Sequence, residues 1–415
     1  MTVDQLVPTL GPVEIRDVLS GLQGAPRRQD APFHPARIDF SDAVSRAIFR
    51  HPGSRAFPEL LAVAFWLRRA AVSRLAERFG ALEAAGPMRA PRGLAFHVPP
   101  TNVDTLFVYS LMASFLVGNL NVVRVSRDRP TEQVALLCEV LRTVLAEDGF
   151  ADFAGELAVV SYGHEPEPTA ALSLDADVRL VWGGDATVDR LRAVPSTAHD
   201  LAFGDRFSFA ALRPDPVMEA DEPSRHRLAE QLFNDAYWFD QMGCASPRLI
   251  VWVGEPGAVE AARGLLLAEL ARVIAEKDYR LQPGAAIAKL TFLYGALIDR
   301  PVARVHQAGN ELAVLTLEHL DGFDRTHPGA GLFFEARVDA LGDLVGFVAR
   351  KDQTLTALGF STEELSAFAR SLNGRGIDRI VGFGDALSFD SFWDGYDLLA
   401  ELTRTVTVDA RVSRG

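Results

Sequence analysis

The sequence predicts an α/β protein with two doubly wound, mostly parallel sheets, and three observations lead there. Short apolar runs such as Leu157-Ala-Val-Val-Ser161 and Val178-Arg-Leu-Val-Trp182 recur along the chain. Helical patterns alternate with them, and Gly, Pro or Asn marks most junctions. The composition is that of a globular chain, with 48% hydrophobic and 23% charged residues over 415 positions.

Taken in order, residues 1 to about 50 are rich in Pro, Arg and Asp with weak periodicity, and read as a surface wrap. Phe57 to Leu82 reads as one helix with a stripe through Leu61, Ala64, Phe65, Val72, Leu75 and Phe79, interrupted by Arg68. Gly93 to Val98 is a strand ended by Pro99-Pro100, and Asp104 fits the N-cap of an apolar helix reaching about Val117. Asn121 to Val125 is a strand and Thr131 to Glu147 an amphipathic helix. The Leu157 and Val178 strands follow, then Gly183-Gly184 and a helix from about Asp185 to Ala193. A second unit begins near residue 205. It carries a helix from Asp221 to Trp238 or Phe239, a loop with Cys244, a strand from Arg248 to Val253 and an apolar helix from Ala258 to Glu276. Thr403 to Asp409 alternates and is β-branched, hence a strand. Boundaries are expected near residues 205 and 390.

Several functions are excluded at this level. Lys+Arg 42 against Asp+Glu 55 gives a net charge of −13, without the basic footprint of a nucleic-acid binder. Thr105 to Val123 carries no formal charge, but Gly118, Asn119 and Asn121 break it, so it reads as a helix and a strand and no membrane span is expected. The first ten residues do not read as a signal peptide. Two cysteines argue against a disulfide framework, and a cytoplasmic location is expected. No G-x-G-x-x-G, Gly-Lys dipeptide, H-E-x-x-H, G-x-S-x-G or C-x-x-C occurs, so P-loop, metal-hydrolase and serine-hydrolase chemistry have no support, and no metal site is expected.

The two cysteines differ. Cys138 sits among Val134, Leu137, Leu141 and Leu145 on a helix and reads as core. Cys244 lies in a loop between Gly243 and Ala245, where a small buried residue is the plainer reading and a nucleophile the sharper one. The segment Phe233-Asn-Asp-Ala-Tyr-Trp-Phe-Asp-Gln-Met-Gly-Cys-Ala-Ser-Pro247 resembles the nucleophile segment of the LuxC family. These are acyl-CoA reductases within the aldehyde dehydrogenase superfamily, fatty-acid reductases first associated with bacterial bioluminescence. The resemblance extends to His97-Val-Pro-Pro-Thr-Asn-Val103, to Leu116 through Ser126, and to Ile377 through Leu398 with its Trp393-Asp-Gly-Tyr396.

That resemblance implies an aldehyde dehydrogenase-like fold with a C-terminal strand available for oligomerisation, the superfamily usually forming dimers or tetramers. It makes 1–205 an N-terminal segment and nucleotide-binding domain, 206–390 a catalytic domain carrying Cys244, and 391–415 a segment returning to the first domain or to a partner subunit. It implies Cys244 as nucleophile, with Asn102 and the Cys244 backbone N–H as oxyanion donors. It places Gly183 and Gly184 at the strand–helix turn holding the cofactor pyrophosphate, and Arg124 where the superfamily has a lysine reaching the adenosine ribose. Ser126 and Arg127 follow. Arg127 stands where NAD-preferring members often carry an acid, which implies NADPH, with NADH as the alternative. Ala202 replaces the glutamate that oxidising members use to activate water, so an acyl-enzyme would persist until hydride or a thiol arrives. The family's ribose-orienting glutamate has no clear match; Asp352 and Gln353 lie in its region. The function expected is NADPH-dependent reduction of an acyl thioester, from acyl-CoA or an acyl-carrier protein, to an aldehyde. The alternatives are an oxidative aldehyde dehydrogenase, a nucleotide-independent cysteine acyltransferase and a non-catalytic scaffold. Tyr109 to Phe115 and Phe233 to Phe239 are candidates for an acyl tunnel, though at helical spacing they read better as core.

Overall fold

Strands that bury every side chain belong to parallel sheets covered on both faces, and the computed structural model of this chain is built on them. It describes residues 1–24, 31–84, 87–128 and 131–407. These form two units, Met1–Gly204 together with the chain from Phe389 onward, and Asp205–Ser388.

The first unit contains β1 (Thr2–Val7), β2 (Gly11–Glu14), β3 (Met88–Pro91), β4 (Leu94–Val98), β5 (Leu120–Ser126), β6 (Leu157–Tyr162), β7 (Val178–Trp182) and β8 (His199–Phe203). Its helices are α1 (Ile15–Gly24), α2 (Pro35–Arg50), α3 (Pro58–Leu67), α4 (Arg69–Ala84), α5 (Leu106–Leu116), α6 (Glu132–Leu145), α7 (Pro166–Asp175) and α8 (Asp185–Arg192). The main sheet runs β2-β1-β6-β5-β4-β7-β8. The five strands β6-β5-β4-β7-β8 are parallel, with Phe96 opposite Val122 and Arg124 opposite Val160. The chain winds from β4 to β6 on one side and continues through β7 on the other. The carboxyl ends of β4 and β7 therefore flank a topological switch point, where such sheets bind ligands.

Residues 1–50 correct the expectation of a surface wrap. β1 pairs with β6 in the main sheet, and α2 buries Phe40, Val44 and Ile48 in the core. The pattern is masked because the buried face of α2 also carries polar residues. Arg37 pairs with Glu156 at 2.7 Å and donates to Phe115 O, Ser41 Oγ donates to Leu67 O, and Ser45 Oγ donates to Ala64 O. The single helix expected over Phe57–Leu82 is two, broken at Arg68, whose ψ of 144° leaves the helical region. There the guanidinium stacks on Phe65, 4.0 Å from the ring centroid, and Phe65 lies outside rather than on the stripe. The N-cap of α5 is Thr105 rather than Asp104, whose half-buried carboxyl is bonded to Thr131 instead.

The second unit contains β9 (Phe207–Leu212), β10 (Pro247–Val253), β11 (Val302–Ala308), β12 (Leu312–Leu317), β13 (Leu332–Val338), β14 (Asp352–Leu358) and β15 (Arg379–Gly382). It also contains α9 (Asp215–Glu219), α10 (Glu222–Tyr237), α11 (Pro256–Glu276), α12 (Pro283–Asp299) and α13 (Thr362–Ser371). The sheet runs β11-β12-β13-β10-β9-β14-β15 and is parallel apart from β11. One apolar cluster covers each face of it. At its centre Glu335, only 2% exposed, accepts from Trp252 Nε1 at 2.9 Å, Arg263 Nε at 2.6 Å and Thr316 Oγ1 at 2.9 Å.

The chain then completes the first unit with β16 (Phe392–Trp393), β17 (Tyr396–Asp397), α14 (Leu398–Glu401) and β18 (Thr403–Val406). Asp394 and Gly395 have φ of 50° and 77°, the left-handed pair that closes a two-residue hairpin. The Trp393-Asp-Gly-Tyr396 motif is thus a turn. β18 pairs antiparallel with β3, Thr403 opposite Pro91; Val408 and Asp409 of the expected strand lie outside the described residues.

Candidate active site

In the first unit a cavity of about 420 Å³ opens at the switch point. Its walls come from the carboxyl ends of β4, β5, β6 and β7, including Asn102, Arg124, Ser126, Gly163, Gly183 and Gly184. Gly184 caps α8, and a Cβ there would meet no atom within 4 Å, so the backbone at this helix start is open to a ligand. Such a helix start suits a pyrophosphate, and the residues present therefore fit a dinucleotide. Thr187 and Arg190 of α8 line the same cavity and escaped notice in the sequence, where they look like ordinary surface helix residues.

Arg124 donates to Tyr162 O at 3.1 Å and Gly163 O at 2.6 Å, which ties the end of β5 to the end of β6. Arg127 does not line the cavity. Its guanidinium is half exposed and ion-paired with Glu165, while Asp128 and Glu165 do line the wall. Asn102 is exposed in a bend four residues ahead of α5. Behind the wall runs a buried polar chain. Trp182 Nε1 donates to Ser110 Oγ, Ser110 contacts His97 Nδ1 at 2.7 Å, and His97 Nε2 lies 3.1 Å from Asn121 Oδ1. With Asn121 accepting, Nε2 carries the proton and Nδ1 accepts from Ser110. Burial pushes the His97 pKa down to about 4.

Cys244 belongs to the second unit, in the loop joining α10 to the amino end of β10. It is partly exposed, whereas Cys138 is buried and its thiol is pushed up to about 12. Ahead of it, Asp240 and Gln241 hold left-handed φ of 49° and 62°. Few non-glycine residues adopt this, and the surroundings over-determine it here. Ala330 N donates to Asp240 O at 2.7 Å, Tyr279 Oη to Asp240 Oδ1 at 2.6 Å, and Gln241 Nε2 to Pro247 O at 2.9 Å. A Cβ on Gly243 would lie 3.0 Å from Leu387 Cδ2 and 3.1 Å from Ser246 Oγ, so the glycine admits the protein's own side chains. Ser208 Oγ donates to Cys244 O at 2.7 Å and accepts from Thr354 N at 3.1 Å, so β9 and β14 fix the residue from below.

The residue missed in the sequence here is Arg248. It reads as the start of a strand, yet it is only 8% exposed and its guanidinium turns back under the loop. Burial lowers its pKa, opposed by the neighbouring Asp205 and Cys244. Asp352, in the region of the unmatched glutamate, is committed elsewhere. It is fully buried, with 2.5 and 2.7 Å bonds from Arg325 and a third from Ala349 N. Gln353 is also buried. Of the candidate tunnel segments, Tyr109, Leu111, Met112 and Phe115 pack in the core of the first unit and Phe233 and Tyr237 in that of the second, while Trp238 and Phe239 are partly buried. Among the described residues no group of three His, Cys, Asp or Glu could hold a metal ion, and no helix is long and apolar enough to cross a membrane.

Residues 77–405 match the family described as acyl-CoA reductase (LuxC). The chain is 23% identical over 298 residues to a long-chain acyl-protein thioester reductase of Vibrio harveyi, covering 71% of this chain and 59% of that relative's length. The fold is similar to an NAD-dependent aldehyde dehydrogenase from Sinorhizobium meliloti, with a TM-score of 0.66 at 13% identity over 97% of this chain and 90% of that one. It is also similar to methylmalonate-semialdehyde dehydrogenase from Oceanimonas doudoroffii, with a TM-score of 0.63 at 13% identity over 100% and 96% of the two chains.

Proposed function

The chain belongs to the acyl-CoA reductase (LuxC) family and has the aldehyde dehydrogenase fold, and from that premise we propose that it reduces an acyl thioester to an aldehyde through an acyl-cysteine on Cys244. The observation that carries the reading is the contrast between its two thiols. Cys138 is sealed in the core, while Cys244 is accessible in a loop whose backbone is held by Ser208 and Arg248.

In the proposed chemistry the Cys244 thiolate attacks the thioester carbonyl and forms a C–S bond, and the π electrons move to the oxygen. The Cys244 N–H holds that oxyanion, and the family resemblance assigns the second donor to Asn102. A strong donor of this kind supplies roughly 3 kcal/mol. Collapse breaks the other C–S bond and releases the CoA or carrier thiolate, which needs little proton assistance because thiols are acidic near pH ~8.5. When bound, the reduced nicotinamide supplies the hydride. The resulting Cys244 thiohemiacetal expels the thiolate and frees the aldehyde. Gly183, Gly184 and Arg124 are proposed to hold the dinucleotide. Ala202, on β8 opposite Val181, offers no base to direct water at the acyl-enzyme.

NADPH is the proposed form of the cofactor, with Arg127 released from Glu165 to meet the 2′-phosphate. Arg127→Ala should weaken NADPH binding in calorimetry and leave NADH unchanged. The central test is intact-mass detection of an acyl adduct after mixing with acyl-CoAs of different lengths. The adduct should form on the native protein and vanish in Cys244→Ala. An adduct that survives that substitution, or efficient NADP-dependent acid formation from aldehyde without CoA, refutes the proposal.

A further inference from the structure

The Cys244 N–H and the Gly243 carbonyl are two ends of one peptide unit, and the structure shows what sits behind that carbonyl. Gly243 O accepts from Ser246 N at 3.1 Å, and Arg248 Nη2 approaches it at 3.5 Å. The same guanidinium reaches Gln241 O at 3.4 Å through Nε and Arg206 O at 3.1 Å through Nη1. One buried cation thus spans three carbonyls, two of them in the loop that presents the nucleophile. On the far side of Cys244, Ser208 Oγ fixes its carbonyl. A positive charge on a carbonyl polarises the peptide and strengthens its N–H as a donor, more so away from water.

We propose that Arg248 is a positioning residue that aims and polarises the Gly243–Cys244 peptide, so that the Cys244 N–H meets the acyl oxyanion ready-made. The inference rests on Cys244 being the nucleophile. It goes further by assigning the preorganisation of the backbone donor to a side chain that never touches substrate. A planar, permanently charged fork suits this task because it reaches divergent carbonyls together, which an ammonium cannot.

The groups acting on Arg248 are Asp205, itself paired with Lys351, the Cys244 thiol, and His327, whose burial holds its pKa well below the ordinary value. The cation would also act on a Cys244 thiolate. The experiment therefore compares two reactions of the same sulfur. Acylation by an acyl-CoA needs the oxyanion donor; alkylation by iodoacetamide does not. In Arg248→Met, acylation measured by intact mass should slow about tenfold, with alkylation close to native. Arg248→Lys should alkylate normally and acylate at an intermediate rate. Equal loss of both reactions would place the cation on the thiolate and overturn the proposal, as would native acylation in either variant. Should Arg248→Met fail to fold, Arg248→Lys decides alone, and native acylation there is refuting. Cys244→Ala run alongside tests the underlying reading separately, because an adduct surviving in it removes the nucleophile whatever Arg248 does.

Discussion

Glu335→Leu should be among the most damaging single substitutions in the second unit, and the damage should be largely reversible by a second change. Glu335 is buried in the sheet centre with three donors on its two oxygens. Truncating it to a hydrocarbon leaves the Arg263 guanidinium, 6% exposed, without its main counter-charge. Breaking a buried ion pair in this way costs about 3–5 kcal/mol. The Trp252 indole N–H loses its acceptor as well, for about 1–3 kcal/mol, while the Thr316 hydroxyl is free to rotate. A total near 5 kcal/mol corresponds to about 10–20 °C in the melting transition of a unit this size. Replacing both charged partners, in Arg263→Met with Glu335→Leu, removes the unpaired cation and should recover at least about 2 kcal/mol relative to Glu335→Leu alone. Urea unfolding of the two singles and the double measures the coupling directly. A double variant as unstable as Glu335→Leu would show that the cost lies in packing and not in the stranded charge.

The buried His97 sets a pH dependence. Its folded pKa of about 4 lies below the ordinary 6.5, so its contribution is fully present above 6.5 and is lost as the pH falls toward 4. Urea midpoints should drop across that window in the native protein and stay flatter in His97→Gln; identical slopes would refute the assignment. At neutral pH iodoacetamide should label Cys244 and spare Cys138, and peptide mapping that finds Cys138 labelled in the folded state would contradict its burial. Gly331→Ala should destabilise by about 3 kcal/mol. Gly331 has φ of 69° and its added Cβ would lie 2.0 Å from Glu311 O, so a melt at the native temperature would refute that geometry.

Much of the fold was legible because parallel strands announce themselves. The runs at Leu94, Leu157 and Val178 are apolar on both faces, and each became a strand buried at every position. What stayed hidden was hidden by polar residues serving the core. Arg37, Ser41 and Ser45 occupy the inner face of α2, so no periodicity showed where a packed helix lies. Arg68 was visible as an interruption, but only the structure shows that it ends one helix and starts another. For the candidate site, Cys244 and the Gly183-Gly184 turn could be read from flanking residues. Arg248 could not, because a guanidinium folded back beneath its own loop leaves no mark in spacing. The pairing of Arg127 was hidden for a similar reason. Its position just after β5 does not show that Glu165, distant in sequence, pairs with its guanidinium.

The pairing of β18 with β3 carries a consequence for synthesis. The first unit is assembled from both ends of the chain: Phe389 stacks on Tyr109 at 4.4 Å, Arg78 pairs with Asp390, and Asn119 Nδ2 donates to Leu402 O. These contacts close only after residues 205–388 have been made. A ribosome therefore delivers the second unit whole while the first still lacks its last strand and hairpin. The second unit should gain protease resistance earlier than the first, although it begins later in the sequence. For chains stalled before Phe389, the first unit should stay open to degradation.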